Sequence, residues 1–328
     1  MQGPDPSTCA RLSLLLCVAW GALAHASAPT LAVEPGLGTP ERVRVAGRLL
    51  ERSGTGSSAW SRNLRTLAAA GMPEMPVEVR VEGVRARVLT GADGTFAAEL
   101  PAPAGARFVP GVLTAWVQSD GTLAAVPVTV LDPSAPFLVV SDFDDTLAQT
   151  YVRTPRRLLG SALFRDGLTQ PAVPGMAGLF RCLLRDKVAR PGLVILSGSP
   201  ISWAPRVRTL LLREGFPTAA LMLRPSLQSA TVAHKLRALE WLSKVQAAPL
   251  LLVGDSGERD PEIYAEFRAA HPDRVLAVYI RDAGGPLDAG RLKGAVPFGS
   301  AAEAAADAAA RGWVTQDCVD AEVLGAGP

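Results

Sequence analysis

From residue 137 onward, short continuous apolar runs alternate with helix-length stretches, and this alternation limits the fold more than any other feature of the chain. The runs cover residues 137–140, 193–196, 219–223, 250–253 and 275–280. A strand that is apolar on both sides needs cover on both sides, which is the situation of a parallel strand between helical layers. Residues 174–188, 203–214, 231–245 and 261–270 read as the helices between them. Ser300-x-x-Glu303 is a capping box that opens an Ala-rich last helix ending near Gly312. The expectation is an α/β doubly wound parallel sheet over residues 137–312, with a C-terminal tail over 313–328.

Residues 40–132 carry a different period. Val43-Arg44-Val45-Ala46-Gly47 alternates, as do Val77-Glu78-Val79-Arg80-Val81 and Val84-Arg85-Ala86-Arg87-Val88-Leu89. Alternation of period two marks half-buried strands. Ala92-Asp93-Gly94-Thr95 signals a turn before a strand at 96–100, and later runs at 112–117 and 124–131 complete the unit. A small all-β sandwich of about seven short strands is expected to precede the parallel sheet. Residues 58–72 read as a short helix or an ordered loop, residues 29–40 as a Pro/Gly-rich loop, and Asp132-Pro133-Ser134-Ala135-Pro136 as a linker.

The chain has 328 residues, 48% of them hydrophobic, which is enough to build a core. Its net charge of +2 and aromatic content of 5% argue against a nucleic-acid partner, which calls for a basic excess and stacking surfaces. At the N-terminus, Arg11 precedes an apolar run over residues 12–23, followed by Ala24-His25-Ala26-Ser27-Ala28. That pattern reads as a signal peptide over residues 1–28, and hence as a secreted or periplasmic protein. Of the four cysteines, Cys182 and Cys318 remain after cleavage, and the sequence leaves open whether they pair.

In open α/β sheets, ligands bind beyond the carboxyl ends of the strands. Three of the apolar runs are followed there by polar residues: Ser141-Asp142-Phe143-Asp144-Asp145-Thr146, Ser197-Gly198-Ser199-Pro200, and Gly254-Asp255-Ser256-Gly257-Glu258-Arg259-Asp260. Several carboxylates at one sheet edge need a compensating cation, and a hard ion such as Mg2+ takes oxygen ligands. A carboxylate can attack phosphorus, and a second acid two residues on can protonate the leaving oxygen.

Asp142-x-Asp144-x-Thr146 resembles the first motif of the haloacid dehalogenase (HAD) superfamily, Ser197 the second, Lys235 the third, and Gly254-Asp255 with Asp260 the fourth. Within that superfamily these segments, with Ala277-Val278-Tyr279-Ile280-Arg281, resemble the App1-type phosphatidate phosphatase family, although Ile201-Ser202 stand before Trp203 where the family often has Trp at once. The resemblance implies Mg2+-dependent conversion of phosphatidate to diacylglycerol; the alternatives are hydrolysis of another, soluble phosphomonoester, or a secreted binding protein with an inactive HAD domain. It implies Asp142 as nucleophile, Asp144 as general acid and base, Ser197 on a phosphoryl oxygen and Lys235 balancing charge. The metal would lie among Asp142, the Asp144 carbonyl, Asp255 and Asp260, with Thr146 buttressing the loop and Asp145 serving the loop or the outer shell. His234 reads as structural. Residues 150–173, which include Arg153, Arg156, Arg157, Leu158 and Phe164, read as an insertion over the site suited to membrane-surface contact with an anionic lipid.

Overall fold

The structure is a computed structural model that describes residues 29–51, 65–149, 169–185, 189–226 and 229–325. The expected signal peptide and most of the 150–173 insertion lie outside the described residues, as does the first half of the 58–72 segment, of which residues 65–68 are helical.

Among the described residues, eight strands precede the linker: β1 Thr30–Val33, β2 Gly36–Thr39, β3 Arg42–Leu50, β4 Pro76–Val81, β5 Val84–Leu89, β6 Thr95–Pro101, β7 Gly111–Ser119 and β8 Thr122–Val130. They form one hydrogen-bonded sheet in the order β1-β3-β2-β8-β7-β4-β5, with β6 on the other side of β3, where two stacked sheets were expected. Its inner face carries Val43, Val45, Val77, Val79, Val117 and Val128, so the period-two reading of the valines holds residue by residue. The hairpin turns Glu82-Gly83 and Asp120-Gly121 place both central residues at positive φ, the geometry that matches strand twist in two-residue turns.

The Pro/Gly-rich segment at 29–40 is a correction: it is paired, not a loop. β1 lies antiparallel to the second half of β3 and β2 to the first half, so Pro35 only marks the step between them. The step also reaches the second sheet. The Pro35 carbonyl accepts from Leu221 N at 2.9 Å and Glu34 Oε1 accepts from Leu223 N at 2.5 Å.

The second sheet is parallel and holds β9 Leu138–Ser141, β10 Gly192–Pro200, β11 Ala220–Arg224, β12 Leu250–Asp255, β13 Val275–Arg281 and β14 Val296–Phe298, in the order β11-β10-β9-β12-β13-β14. Helices cover both faces. Leu138, Val140, Leu250 and Leu252 pack beside the helices Thr231–Val245 and Asp260–Ala270. Val139, Leu193, Ile195 and Val253 pack beside Met176–Leu184, Ala204–Arg213 and Ala301–Ala310. In chain order we label these helices α1 (Met176–Leu184), α2 (Ala204–Arg213), α3 (Thr231–Val245), α4 (Asp260–Ala270) and, past a short turn at Ala289–Leu292, α5 (Ala301–Ala310).

The stretch read as a tail folds back onto α1. Val314, Cys318, Val319 and Val323 are buried, a helical stripe too apolar to leave in water. Cys318 is disulfide-bonded to Cys182 with a Cα separation of 5.8 Å, and Glu322 pairs with Arg181 and Arg185. The disulfide links residues 136 apart, so it removes much freedom from the unfolded chain. Cys182→Ser with Cys318→Ser is expected to lower the unfolding free energy by about 2–5 kcal/mol in urea titration; an unchanged midpoint would mean the fold-back packing alone holds the segment.

Burial lifts the Glu34 carboxyl to about 7, although the Leu223 N–H and Arg44 hold it down. A carboxyl raised in the folded state contributes stability that is full below its unfolded value, near 4.5, and is lost as pH rises through about 7. Glu34→Gln keeps the acceptor and removes the titration. Its stability relative to the native chain is expected to rise from about pH 5 to about pH 8 by an amount on the order of 2–3 kcal/mol, read from unfolding curves. A pH-independent difference would show that Glu34 ionises in place without cost.

Candidate active site

The carboxyl ends of β9, β10 and β12 lie side by side, which brings the three polar segments of the sequence to one edge. Asp142 follows β9 directly, and its N–H donates to the Val253 carbonyl at 2.9 Å, so the turn beyond β9 is held against β12. Asp145, in the left-handed region at φ 54°, makes that turn, and its carbonyl accepts from Arg281 Nη1 at 2.5 Å. Asp tolerates this conformation better than most side chains.

At the centre is Lys235, wholly buried on α3. Its Nζ donates to Asp142 Oδ1 at 2.8 Å and to Asp260 Oδ1 at 2.5 Å, and both carboxylates are buried as well. Burial alone would push the ammonium down, but Asp142 and Asp260 outweigh it and hold Lys235 well above its usual value. Burial drives the Asp142 carboxyl well up, against Lys235, and Asp260, Glu258 and Asp255 push the same way as burial. Asp255 is lifted to about 8, by burial first and Asp260 second.

Asp142, Asp255 and Asp260 each offer an oxygen within 4.8 Å of the others. Asp255 Oδ1 accepts from the N–H groups of Gly257 at 2.6 Å and Glu258 at 3.0 Å, which aims the carboxylate. Asp142 Oδ2 and Asp255 Oδ2 are buried with no partner among the described residues. Buried carboxylate oxygens left without donors are costly, and an oxygen-ligated cation satisfies them. Asp260 is the first residue of α4 and does not cap it, since its side chain is taken by Lys235 and by Asp255 N at 3.4 Å. Gly254 makes this approach possible, because a Cβ there would sit 2.6 Å from Asp260 Oδ2 and 2.8 Å from the Tyr264 ring.

The other sequence-derived residues fall around this centre. Asp144 is half-buried, and its carboxylate accepts from Ser199 Oγ at 2.8 Å. Burial raises it, while Arg206 and Ser199 oppose. Ser197 Oγ accepts from Ser199 N at 3.0 Å. Thr146 is buried, and its hydroxyl has no partner among the described residues. His234 turns to the Met222 carbonyl at 3.1 Å, a structural placement.

Several residues had no role assigned from sequence. Ser199 lies inside the second motif yet bonds the acid of the first. Arg206 rests over Trp203 at 4.6 Å and bonds Gln170, a helix-spaced cation–aromatic pair visible in the sequence only once the helix is known. Glu258 is half-buried in the loop that follows β12, and burial raises its carboxyl. Arg291 clamps the acidic loop from behind: Nη1 donates to the Ser256 carbonyl at 2.5 Å, Nη2 to the Glu258 carbonyl, and Nε to Glu262 at 2.7 Å. No local sequence signal marks it.

Removing one partner from a buried charge group strands the others. Lys235→Met is therefore expected to lower the unfolding free energy of the metal-free protein by about 3–5 kcal/mol at neutral pH. A loss under about 1 kcal/mol in denaturant titration would mean that the buried group needs no counter-charge from Lys235.

Residues 137–282 match the family described as phosphatidate phosphatase APP1, catalytic domain. An uncharacterized protein of Schizosaccharomyces pombe is 26% identical over 163 residues, covering 47% of this chain and 26% of its own length. Phosphatidate phosphatase APP1 of Saccharomyces cerevisiae is 26% identical over 151 residues, covering 44% of this chain and 25% of its own. The chain thus spans about a quarter of the length of these curated relatives. A carbohydrate acetylesterase from Xanthomonas citri aligns over 90% of this chain and 76% of its own at 14% identity, with a TM-score of 0.32 that carries no argument. Residues 137–282, which hold the buried lysine and its aspartates, are thus similar to the catalytic domain of the App1-type phosphatidate phosphatases.

Proposed function

We propose that this protein is a magnesium-dependent phosphomonoester hydrolase that works through an aspartyl-phosphate and converts phosphatidate to diacylglycerol and phosphate. One observation carries the reading: Asp142 is gripped by Lys235 through Oδ1 while its buried Oδ2 has no partner among the described residues, within an App1-type segment. A carboxylate held by one oxygen with the other unbonded is oriented as a nucleophile. The motif order and a parallel sheet with helices on both faces support a HAD-type, doubly wound catalytic domain over 137–312, following a separate β domain.

The oxygen-only donor set fits Mg2+, with Asp142, Asp255 and Asp260 and the Asp144 carbonyl as the groups to hold it. When bound, the ion supplies charge neutralisation at the phosphoryl oxygens. Asp142 Oδ2 attacks phosphorus, and the bond from phosphorus to the leaving oxygen breaks as Asp144 gives that oxygen its proton. Burial raises Asp144, which suits a proton donor. Asp144 then takes a proton from water, the water oxygen bonds to phosphorus, and the bond to Asp142 breaks to release inorganic phosphate. Ser197 Oγ accepts from Ser199 N, which leaves its O–H to donate to a phosphoryl oxygen. Lys235 keeps Asp142 in place through both steps.

Export to a periplasm or to the medium belongs to the same reading. The N-terminal signal pattern supports it, and so does the Cys182–Cys318 disulfide, since such bonds persist in oxidising compartments. The test is phosphate release from phosphatidate vesicles with and without Mg2+. The native chain is expected to need Mg2+, and Asp142→Asn to lose activity by about a thousandfold or more. Release from a soluble monoester alone, with the same two dependences, would keep the chemistry and overturn the lipid substrate. No release from either would overturn the enzyme reading.

A further inference from the structure

The outer face of the first sheet breaks the rule that its inner face obeys. Antiparallel sheets packed on one side usually turn polar residues to water on the other. Here Val112 and Trp116 on β7 and Leu123 on β8 point outward and are 57%, 49% and 60% exposed. Leu212 at the end of α2, also exposed, lines the same groove as Val112, so the apolar surface runs from the sheet onto the catalytic unit.

This surface is bordered by guanidinium groups in register. Arg85 on β5 stands opposite Arg80 on β4, Arg80 stands opposite Trp116 on β7, and Trp116 stands opposite Ala125 on β8. Arg87 lies one step along β5, and Arg208 of α2 bonds the Ala125 carbonyl at 2.9 Å on the far flank. Glu78 is shared between Arg80 and Arg87, so the strand face keeps a positive excess; the acids Glu82 and Asp120 sit in the hairpin turns at its ends. An exposed indole and aliphatic tips beside several arginines match the anionic headgroups and the acyl boundary of a bilayer, where Trp is favoured.

The face is also coupled to the site. Thr122, at the start of β8, bonds the Pro29 carbonyl at 3.2 Å, and β1, which follows Pro29, packs on the Ile201–Trp203 turn that leaves the catalytic edge.

We infer that the outer face of β4, β5, β7 and β8, centred on Trp116 and Arg80, is a docking surface for an anionic lipid bilayer. The inference goes beyond the proposed activity and does not depend on it.

Flotation of the chain from residue 29 with phosphatidylglycerol vesicles, beside phosphatidylcholine vesicles, tests it. Each basic residue near an anionic surface strengthens partition by about fivefold. The native chain is expected to float with phosphatidylglycerol, weakly with phosphatidylcholine, and less at high salt. Arg80→Gln with Arg85→Gln, and separately Trp116→Ser with Leu123→Ser, are each expected to weaken that binding by about tenfold or more at an unchanged thermal midpoint. Native-like binding by both pairs, equal binding to both vesicles, or no binding of the native chain to phosphatidylglycerol would overturn it. So would variants that turn a native dimer into a monomer without changing partition, which would make the face a contact between copies. Loss of phosphatidate hydrolysis with vesicle binding intact would bear on the activity and not on this surface.

Discussion

A lysine ammonium with no access to water stands between two aspartates that have none either, and the catalytic half of the molecule is arranged around that group. Lys235 comes from α3, Asp142 from the end of β9 and Asp260 from the start of α4, so one cation ties three elements together at the sheet edge. Burying three charges is expensive, and a well-packed apolar cluster would serve stability better. The arrangement makes sense as preorganisation. It fixes one oxygen of Asp142, leaves the other without a protein donor, and keeps Asp255 close enough to complete an all-oxygen group. The surrounding structure keeps this geometry. Gly254 lets α4 approach β12, Tyr264 bonds the Val253 carbonyl, and Arg291 holds the acidic loop by its carbonyls.

The two sheets are joined through an edge. β11 would otherwise present free backbone groups at the side of the parallel sheet, and exposed edges invite wrong pairing. Pro35 supplies a carbonyl to Leu221, and the Glu34 side chain stands in for the next backbone acceptor at Leu223. The β unit therefore completes the catalytic sheet instead of merely accompanying it. On the opposite flank the disulfide closes the last residues onto α1, so both ends of the described chain are tied to the parallel sheet or its helices.

Charge of opposite sign is gathered in two places. The site gathers carboxylates that call for a cation, while the outer face of the first sheet gathers arginines around exposed apolar groups. The proposed lipid substrate would use both, the carboxylates through a bound cation and the arginines at the bilayer surface.

Much of this was legible in the sequence. Thr231–Val245 begins and ends where the apolar period says it should, and the five apolar runs are all strands, because hydrophobic period reports which faces are covered. Asp142, Asp255 and Asp260 stand out by their positions after strands and Lys235 by the resemblance to the third HAD motif, and the four converge. Tertiary structure alone decided the rest. The pairing of residues 29–40 depends on β3 offering an edge, which local composition cannot reveal. The fold-back of 313–325 depends on a cysteine far away in the chain. Short Val296–Phe298 joins the parallel sheet only through its partner β13. The turn of Asp144 toward Ser199 and the grip of Arg291 on the acidic loop arise from side chains distant in sequence. Sequence determined what each segment must bury and which acids stand at the strand ends, because those follow from local period and order. Which backbone edges meet and which single donor reaches each carboxylate are properties of contact across the chain, and only the folded structure decides them.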